Sequence, residues 1–332
     1  MKRIILDTDV GTDVDDALAI ALAAASPELQ LEGITTVHAD APLRARIARR
    51  LLSLAGRPDI PVIAGASEPI AMPLPEQFHW LPQLWGHEGA GLLSSEERMP
   101  TADPSSAADE AARFIVETVA ARPGEVSLVA VGPLTNVARA LRLEPRLGDW
   151  ICDLTVMGGM VDTSRAGLPP VLETNLNADP GAAEIAFASA IPLTLVGFEV
   201  TTQVYLTPDQ RAEMRGWRLP LGDALLNLME QMLESFSSFS RRMDLPADIF
   251  QGRTYMHDPL AVYSAFGIQH VTLRRTHVAL EVRDRVLRTI PRPDQSPNMR
   301  VCIEVDAPAF VDLWLSRVKS LATSAVTSSQ SV

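Results

Sequence analysis

Residues 4–19 read IILDTDVGTDVDDALA, and this stretch determines how the rest of the chain is interpreted. It opens with an apolar run, residues 4–6, that is typical of a buried strand, and it passes after Asp16 into an alanine-rich helical pattern. Five aspartates lie between residues 7 and 16. In an open α/β sheet, ligands bind beyond the carboxyl ends of the strands. The stretch therefore predicts a ligand site where the first strand ends.

These aspartates have two interpretations. Threonine and aspartate are favoured at helix N-caps and aspartate in the first helical turn, which accounts for Thr12 or Asp13 and for one of Asp15 and Asp16. Capping does not account for Asp7 and Asp9, which lie on the strand side. Carboxylates this close together repel one another unless a cation lies among them, and oxygen ligands suit Ca²⁺ or Mg²⁺. We therefore favour a metal site.

The composition is that of an ordinary globular protein. Of 332 residues, 47% are hydrophobic and 21% are charged. The net charge of −12 argues against nucleic acid or an anionic membrane as a partner. The sequence has neither a signal peptide nor a membrane-spanning run, so we expect a cytoplasmic protein. Cys152 and Cys302 lie in apolar, strand-like surroundings and are expected to be reduced core residues.

Strand-like and helical patterns alternate along the chain. This alternation predicts an α/β fold in a single domain, with a mostly parallel, Rossmann-like sheet flanked by helices. We expect the domain to span residues 1–322, its last helix to cover residues 307–321, and residues 323–332 to form a disordered tail.

Two further segments have open interpretations. Residues 68–106 are rich in Pro and Gly and contain aromatic and histidine side chains that could either cover a planar ligand or fix the loop to the core: His79, Trp80, Trp85 and His87. The helix predicted at residues 43–54 carries four arginines, which we interpret as a solvated face or a subunit contact: Arg44, Arg46, Arg49 and Arg50.

Polar or glycine-rich residues recur where the apolar strands end. They are Asp40, Val131-Gly132, Met157-Gly158-Gly159, Glu173 and Asn175. One polar strand end is unremarkable, but the recurrence indicates the rim of a single pocket. His257-Asp258, at the start of a predicted helix, would add an acid and another carboxylate.

The motifs, taken together, resemble the nucleoside hydrolase family, calcium-dependent enzymes that cleave the N-glycosidic bond of ribonucleosides. The opening DTDVGTDVDDALA is similar to the family signature. Further matches follow in the same order along the chain: ITTVHAD (34–40), PVIAG (61–65), VAVGPLTNVA (129–138), VMGG (156–159), ETNLNADP (173–180) and MHDPLAV (256–262).

This resemblance implies the nucleoside hydrolase fold and a specific set of site residues. The implied calcium ligands are Asp9, Asp16, the backbone carbonyl of Val131, and Asp258, with Asp7 behind them. The implied ribose-binding residues are Asp15, Asp40, Glu173 and Asn175, with Met157 lining the sugar pocket. Asp9 would accept a proton from the attacking water, and His257 is the candidate general acid for the leaving base.

The resemblance also implies partners and a physiological context. The expected ligands are a ribonucleoside and Ca²⁺, and the expected assembly is a homodimer or a homotetramer. The activity would serve nucleoside metabolism, in purine or pyrimidine salvage. Whether the preferred base is a purine or a pyrimidine stays open.

The sequence departs from the family pattern at three points. Val10 replaces a proline, and two extra residues precede Asp15, which leaves Asp13 as a helix cap. Asp40 stands where asparagine is usual, and Gly167 stands where another asparagine is expected. These departures bear on the metal loop and on the strength of ribose binding.

Two other functions are consistent with parts of the sequence. An apolar strand ending in Asp-x-Asp also begins the HAD-like phosphatases, in which Asp7 would be the nucleophile and Asp9 the acid, with Mg²⁺. The acidic cluster that such enzymes carry late in the chain is not evident here. A non-catalytic nucleoside-binding protein on the same fold is the third possibility.

Overall fold

The computed structural model describes residues 1–70, 87–162, 173–242 and 252–329, and its centre is a sheet of eight strands. The strands described, including those of two small two-stranded sheets, are β1 (Lys2–Thr8), β2 (Leu29–Thr36), β3 (Val62–Ala64), β4 (Val126–Ala130), β5 (Leu154–Met157), β6 (Leu193–Val196), β7 (Tyr205–Leu206), β8 (Thr254–Tyr255), β9 (Val271–Thr276), β10 (Val278–Arg283), β11 (Val286–Pro291) and β12 (Met299–Val305). The large sheet has the order β3-β2-β1-β4-β5-β6-β12-β9. All its neighbouring strands are parallel except β12 and β9, which confirms the mostly parallel α/β sheet predicted from the sequence.

Helices cover both faces of this sheet. Those in the described residues are α1 (Asp15–Ala25), α2 (Ala41–Leu54), α3 (Glu110–Ala120), α4 (Thr135–Leu143), α5 (Leu147–Trp150), α6 (Asn175–Ala178), α7 (Pro180–Phe187), α8 (Phe198–Thr201), α9 (Pro208–Arg215), α10 (Pro220–Arg242), α11 (His257–Ser264) and α12 (Ala307–Ser329). A parallel sheet is normally buried on both faces in this way. The helices therefore leave the strand ends as the place for a site.

Strand β1 lies near the middle of the sheet and contributes to both cores. Ile4 and Leu6 pack in one core with α1, α2, α11 and α12, whereas Ile5 packs in the other with α3, α4 and α7. The division follows from the strand geometry, because successive side chains point to opposite faces. Helix α1 is held close to the sheet, and its Leu18 carbonyl accepts a hydrogen bond from Trp314 Nε1 at 3.1 Å. The segment after β1 is thus anchored at both ends.

The C-terminal segment differs from the sequence-based expectation. Helix α12 continues to Ser329 instead of ending near residue 321. Hydroxyls in its last turns donate to carbonyls one turn back, for example Thr323 to Lys319 at 2.8 Å and Ser328 to Ser324 at 3.0 Å. Serine and threonine are typical of irregular ends, and these bonds let the residues continue the helix.

Two other expectations concern the cysteines and the membrane. Cys302 is buried in a core, but Cys152 is exposed in the turn before β5, so the prediction that both are core residues is wrong for Cys152. Across the described parts of the chain, no helix has the length and hydropathy needed to cross a bilayer.

Candidate active site

Asp7 lies at the end of β1 and is held from two sides. Its Oδ1 accepts hydrogen bonds from Thr35 Oγ1 at 2.5 Å and from Asn136 Nδ2 at 2.7 Å, whereas its buried Oδ2 has no partner among the described residues. Burial raises the pKa of Asp7 to about 7. These contacts tie Asp7 to β2 and α4, behind the loop that follows it.

Three buried carboxylates meet beyond the carboxyl end of β1. Oxygens of Asp15, Asp16 and Asp258 lie within 4.8 Å of one another. Asp16 is oriented by Thr8, whose hydroxyl donates to its Oδ1, and by the Asp9 N–H at 3.1 Å. Burial, followed by repulsion between neighbouring carboxylates, raises the pKa of each of the three well above its ordinary value. A hard cation bound by these oxygens would remove both costs, so the donor set fits a metal ion.

Asp9 lies beside this cluster, against the turn that follows β4. A Cβ atom at Gly132 would come within 2.7 Å of Asp9 Oδ1 and 3.0 Å of Asp9 N, so only glycine permits this approach. Burial raises the pKa of Asp9, and the positive charge of Arg44 opposes the shift. The Asp9 carboxylate in turn raises the pKa of Asp16 and Asp258. The structure thus brings together the three predicted carboxylate ligands, although it does not test their role.

The interpretation of Arg44 as part of a solvated face is wrong. Arg44 is buried, with 3% of its surface exposed. Its guanidinium donates to the carbonyls of Asp9 and Val10, the latter at 3.1 Å, and to Thr12 Oγ1 at 3.0 Å. Its Nε donates to the His38 carbonyl at 2.8 Å. Arg44 therefore fixes the loop between β1 and α1, which is the loop that carries the extra residues.

Asp13 does not cap α1 as the sequence suggested. The N-cap position is Val14, which makes no side-chain cap hydrogen bond, and Asp13 Oδ1 instead accepts the Val14 N–H at 2.6 Å. Asp13 thus lies one position before the N-cap. His87, one of the candidate pocket residues, has Nε2 at 3.1 Å from the Thr12 carbonyl of the same loop. His79, Trp80, Trp85 and Gly167 lie outside the described residues.

Val131, Met157 and Asn175 are in mutual contact where β4 and β5 end. Asn175 Nδ2 donates to the Val131 carbonyl at 2.8 Å and lies 3.2 Å from Met157 Sδ. A carbonyl oxygen has two lone pairs, so the Val131 oxygen keeps one for a metal ion. The structure therefore places these predicted residues side by side.

Glu173 is buried and is oriented by a residue that the sequence analysis missed. Its Oε1 accepts the Leu176 N–H at 3.1 Å, and its Oε2 accepts Asn177 Nδ2 at 2.9 Å. The Asn177 amide also bonds the backbone of Leu287, whose N–H donates to it at 2.7 Å. Asn177 thus links Glu173 to the β10–β11 hairpin. No local pattern predicts a contact between residues so far apart in the chain.

Asp40 is held by hydrogen bonds from Leu43 and Thr101 and does not belong to the cluster of Asp15, Asp16 and Asp258. Its Oδ1 accepts the Leu43 N–H at 2.9 Å, which caps α2. Thr101 donates its N–H to Asp40 Oδ2 at 2.8 Å and its hydroxyl to Asp40 Oδ1 at 2.7 Å. These three hydrogen bonds occupy both lone pairs of Oδ1 and one of Oδ2, so Oδ2 keeps one lone pair for a further donor. The ribose contact implied by the resemblance stays a prediction.

His257 begins α11, directly before Asp258, and its ring packs against two aromatic side chains. Phe198 and Tyr255 stack on it, with ring centroids 5.0 Å and 5.4 Å away. Its Nδ1 lies 2.7 Å from Thr201 Oγ1. Burial lowers the pKa of His257 to about 3, so the ring is neutral at physiological pH. It would therefore meet a leaving base with an N–H group and not with an extra proton.

Glu199 is a buried carboxylate that the sequence analysis did not single out. It lies in α8 between Phe198 and Thr201, the two residues of that helix that contact His257. Its Oε1 accepts the N–H groups of Val161 at 3.2 Å and Asp162 at 3.3 Å, and its buried Oε2 has no partner within the described residues. Burial raises its pKa. From α8, it supports the turn after β5.

Comparison with known proteins identifies the family. The model of the inosine-uridine preferring nucleoside hydrolases matches residues 4–312. The chain belongs to this family. The similarity extends to "Uridine nucleosidase 1" of Arabidopsis thaliana, which is 30% identical over 85% of this chain and 79% of that protein. The pyrimidine-specific ribonucleoside hydrolase RihA of Salmonella arizonae is 31% identical over 95% of this chain and 98% of its own.

Solved structures agree with this assignment. The purine-preferring ribonucleoside hydrolase from Gardnerella vaginalis superposes with a TM-score of 0.77 at 28% identity, over 97% of this chain and 99% of that one. The predicted nucleoside hydrolase fold and the predicted enzyme class, an N-glycosidase acting on ribonucleosides, are thereby confirmed. The HAD-like phosphatase alternative is not supported.

Proposed function

We propose that this nucleoside hydrolase binds a calcium ion through Asp9, Asp16, Asp258 and the Val131 carbonyl, and that it hydrolyses ribonucleosides to ribose and free base. The observation that carries the proposal is the buried cluster of carboxylates beyond β1, whose oxygens approach within 4.8 Å. Burial and mutual repulsion make this cluster unfavourable when no cation is bound. Calcium suits it because its flexible coordination shell accepts six to eight oxygen ligands.

The first chemical requirement is a nucleophilic water. Bound calcium would lower the pKa of that water and hold it for attack. Asp9 is the proton acceptor in this proposal, since its carboxylate lies beside Asp16 and Asp258. Arg44 holds the Asp9 backbone, which limits the movement of this carboxylate.

The second requirement is to hold the ribose as positive charge develops on it. Asp15, Glu173 and Asn175 are the proposed hydrogen-bonding partners of the ribose hydroxyls, and Met157 would line the sugar pocket. The buried carboxylates of Asp15 and Glu173 also stabilise an oxocarbenium-like transition state electrostatically. A 2′-deoxyribonucleoside would leave such groups without a partner, so it should react much more slowly.

The third requirement is stabilisation of the leaving base. His257 is the proposed group, because it precedes Asp258 in the chain and its ring is held by stacking against Phe198 and Tyr255. Its neutral ring offers a hydrogen bond to the base as negative charge accumulates there.

The experiment is to incubate the protein with uridine, cytidine, inosine and adenosine and to measure free ribose. We expect ribose release in the presence of calcium, loss of release after chelation, and recovery when calcium is restored. Replacing the substrate by its 2′-deoxy form should lower the rate by more than about a thousandfold. The panel also identifies the preferred base, and light scattering tests the expected homodimer or homotetramer.

Three outcomes would contradict parts of this proposal. Turnover that is insensitive to chelation would exclude the calcium mechanism. The absence of ribose from every nucleoside would exclude the function. Tight nucleoside binding in calorimetry without turnover would instead support a binding protein on the same fold.

A further inference from the structure

The short helix α8 makes a contact with His257 that the proposed mechanism has not used. Thr201, fully buried in this helix, places its Oγ1 2.7 Å from His257 Nδ1. Phe198 of the same helix stacks on the imidazole with an interplanar angle of 15°, and Tyr255 stacks on it at 27°. The ring is therefore fixed in its plane, and Thr201 is the hydrogen-bonding partner on its Nδ1 edge.

The hydroxyl of Thr201 has one proton and two neighbours that could accept it. One is His257 Nδ1, and the other is the Phe198 carbonyl at 3.2 Å. That carbonyl already accepts the Thr202 N–H at 3.0 Å. The Nδ1 contact is the shorter of the two, and 2.7 Å is typical of an O–H donor. The geometry favours donation from Thr201 to Nδ1.

This direction of donation determines the tautomer of the ring. A neutral imidazole has one N–H and one lone pair, and the partner of one nitrogen decides which nitrogen carries the proton. If Nδ1 accepts, the ring proton must be on Nε2. An imidazole with an ordinary pKa is already mostly neutral at about pH 8, so at that pH the ring carries a single proton whether or not its pKa is shifted.

We propose that Thr201 is a positioning residue that donates to His257 Nδ1 and thereby keeps the ring proton on Nε2, where it can hydrogen-bond the leaving base. The part that concerns the leaving base rests on the proposed function, whereas the tautomer does not. No bond to His257 forms or breaks in this step. With Nδ1 protonated instead, Nε2 would present a lone pair to the base and would repel its developing negative charge.

The tautomer can be measured directly in the full-length protein with calcium. Nitrogen-15 labelling of histidine and long-range proton–nitrogen correlation spectra at about pH 8 distinguish the two neutral forms. The His257 signals are assigned by their absence in His257→Gln. We expect the Nε2–H form in the wild type and in Thr201→Ser, and a mixture with the Nδ1–H form in Thr201→Val. An Nδ1–H form in the wild type would overturn the proposal without any variant.

Kinetics test the consequence for the leaving base. Thr201→Val should lower kcat for uridine by about tenfold, which is the loss expected for one neutral hydrogen bond, with little change in KM. The effect should be less than about threefold for 4-nitrophenyl riboside, because its acidic phenol leaves without a hydrogen bond. Thr201→Ser should restore the uridine rate.

Thr202→Val is the matched control, since the neighbouring Thr202 hydroxyl donates to the Glu199 carbonyl at 3.5 Å and not to His257. Equal losses on both substrates in Thr201→Val would overturn the proposal, as would an unchanged tautomer. If the wild type releases ribose from no nucleoside, the proposed function fails, and the spectra still decide the role of Thr201.

Discussion

The loops that follow the neighbouring strands β1 and β2 both carry aspartates, but the surroundings of their carboxylates differ. After β2, Asp40 accepts three hydrogen bonds, from Leu43 and Thr101. After β1, the carboxylates of Asp15, Asp16 and Asp258 face one another, and burial and repulsion raise their pKa values. Donors from Leu43 and Thr101 engage both oxygens of Asp40, whereas Asp15, Asp16 and Asp258 bring buried carboxylate oxygens close together, and for this reason we propose the metal site after β1 and not after β2.

The largest expected effect is that of Asp258→Asn. The amide removes a charged oxygen from the cluster, so we expect kcat/KM for uridine to fall by about a hundredfold to a thousandfold. Relief of the repulsion should also make the calcium-free variant melt at a higher temperature than the calcium-free wild type. The measurements are ribose release and thermal unfolding with and without calcium. Asp59→Asn, which changes an exposed carboxylate paired with Arg57, is the control, and a rate close to wild type in Asp258→Asn would contradict the assignment.

The next largest effect is expected for Arg44→Met. This change removes the donors for the Asp9 and Val10 carbonyls and for Thr12, so the loop after β1 loses its fixed shape. Loss of such a supporting contact should weaken calcium binding about tenfold to a hundredfold in calorimetry. Arg50→Met is the matched control on the exposed side of the same helix. Because Arg44 is also a cation near the site, an equal or higher affinity is the opposite outcome, and it would exclude the positioning role.

Asp40→Asn is expected to have a smaller effect, on stability and not on the metal. The amide keeps one oxygen for the Leu43 N–H but loses an acceptor for Thr101. The free energy of unfolding should fall on the order of 1 kcal/mol. Calcium affinity should be unchanged, and KM for uridine should change less than about threefold. A large rise in KM at unchanged stability would instead support the ribose contact implied by the family resemblance.

The smallest effect is expected for Glu199→Gln, and it depends on pH. Burial raises the pKa of Glu199 above its ordinary value of 4.5, so in that range the folded protein binds a proton that the unfolded chain has lost. Its contribution to the free energy of unfolding therefore falls as pH rises from 4.5 toward the raised folded pKa.

The glutamine variant lacks this titration. Above that range it should be more stable than the wild type by on the order of 1 kcal/mol in urea unfolding, and below 4.5 the difference should shrink. Glu184→Gln, at an exposed position of α7, is the control. A stability difference that does not change with pH would contradict this account.

The fold and the centre of the site were accessible from the sequence because they depend on local patterns. Apolar runs of strand length predicted β1, β2 and β4 to β6, and the carboxyl ends of parallel strands necessarily share one edge of the sheet. The choice of Asp9, Asp16 and Asp258 came from the family resemblance, and the structure brings these three side chains to that edge. The strands β9 and β11 were missed, since charged and threonine-rich residues obscure their alternation.

The supporting residues could not be predicted, because each acts through a distant partner. Arg44 lies in a helix with three other arginines, and nothing local distinguishes the one that folds inward over the loop after β1. Asn177 bonds Leu287 and Asp40 bonds Thr101 across long stretches of chain. The role of Thr201 depends on a helix of four residues meeting His257. Such contacts are fixed by packing and not by spacing.

Equilibrium dialysis with calcium tests the contrast between the two loops most directly. We expect one tightly bound calcium ion per chain in the wild type and in Asp40→Asn. At the same free calcium concentration, we expect none in Asp16→Asn or Asp258→Asn. Circular dichroism of each variant confirms that the fold is retained. Stoichiometric calcium in the Asp16 and Asp258 variants, or its loss in Asp40→Asn, would contradict the central claim that the carboxylates beyond β1 hold the metal.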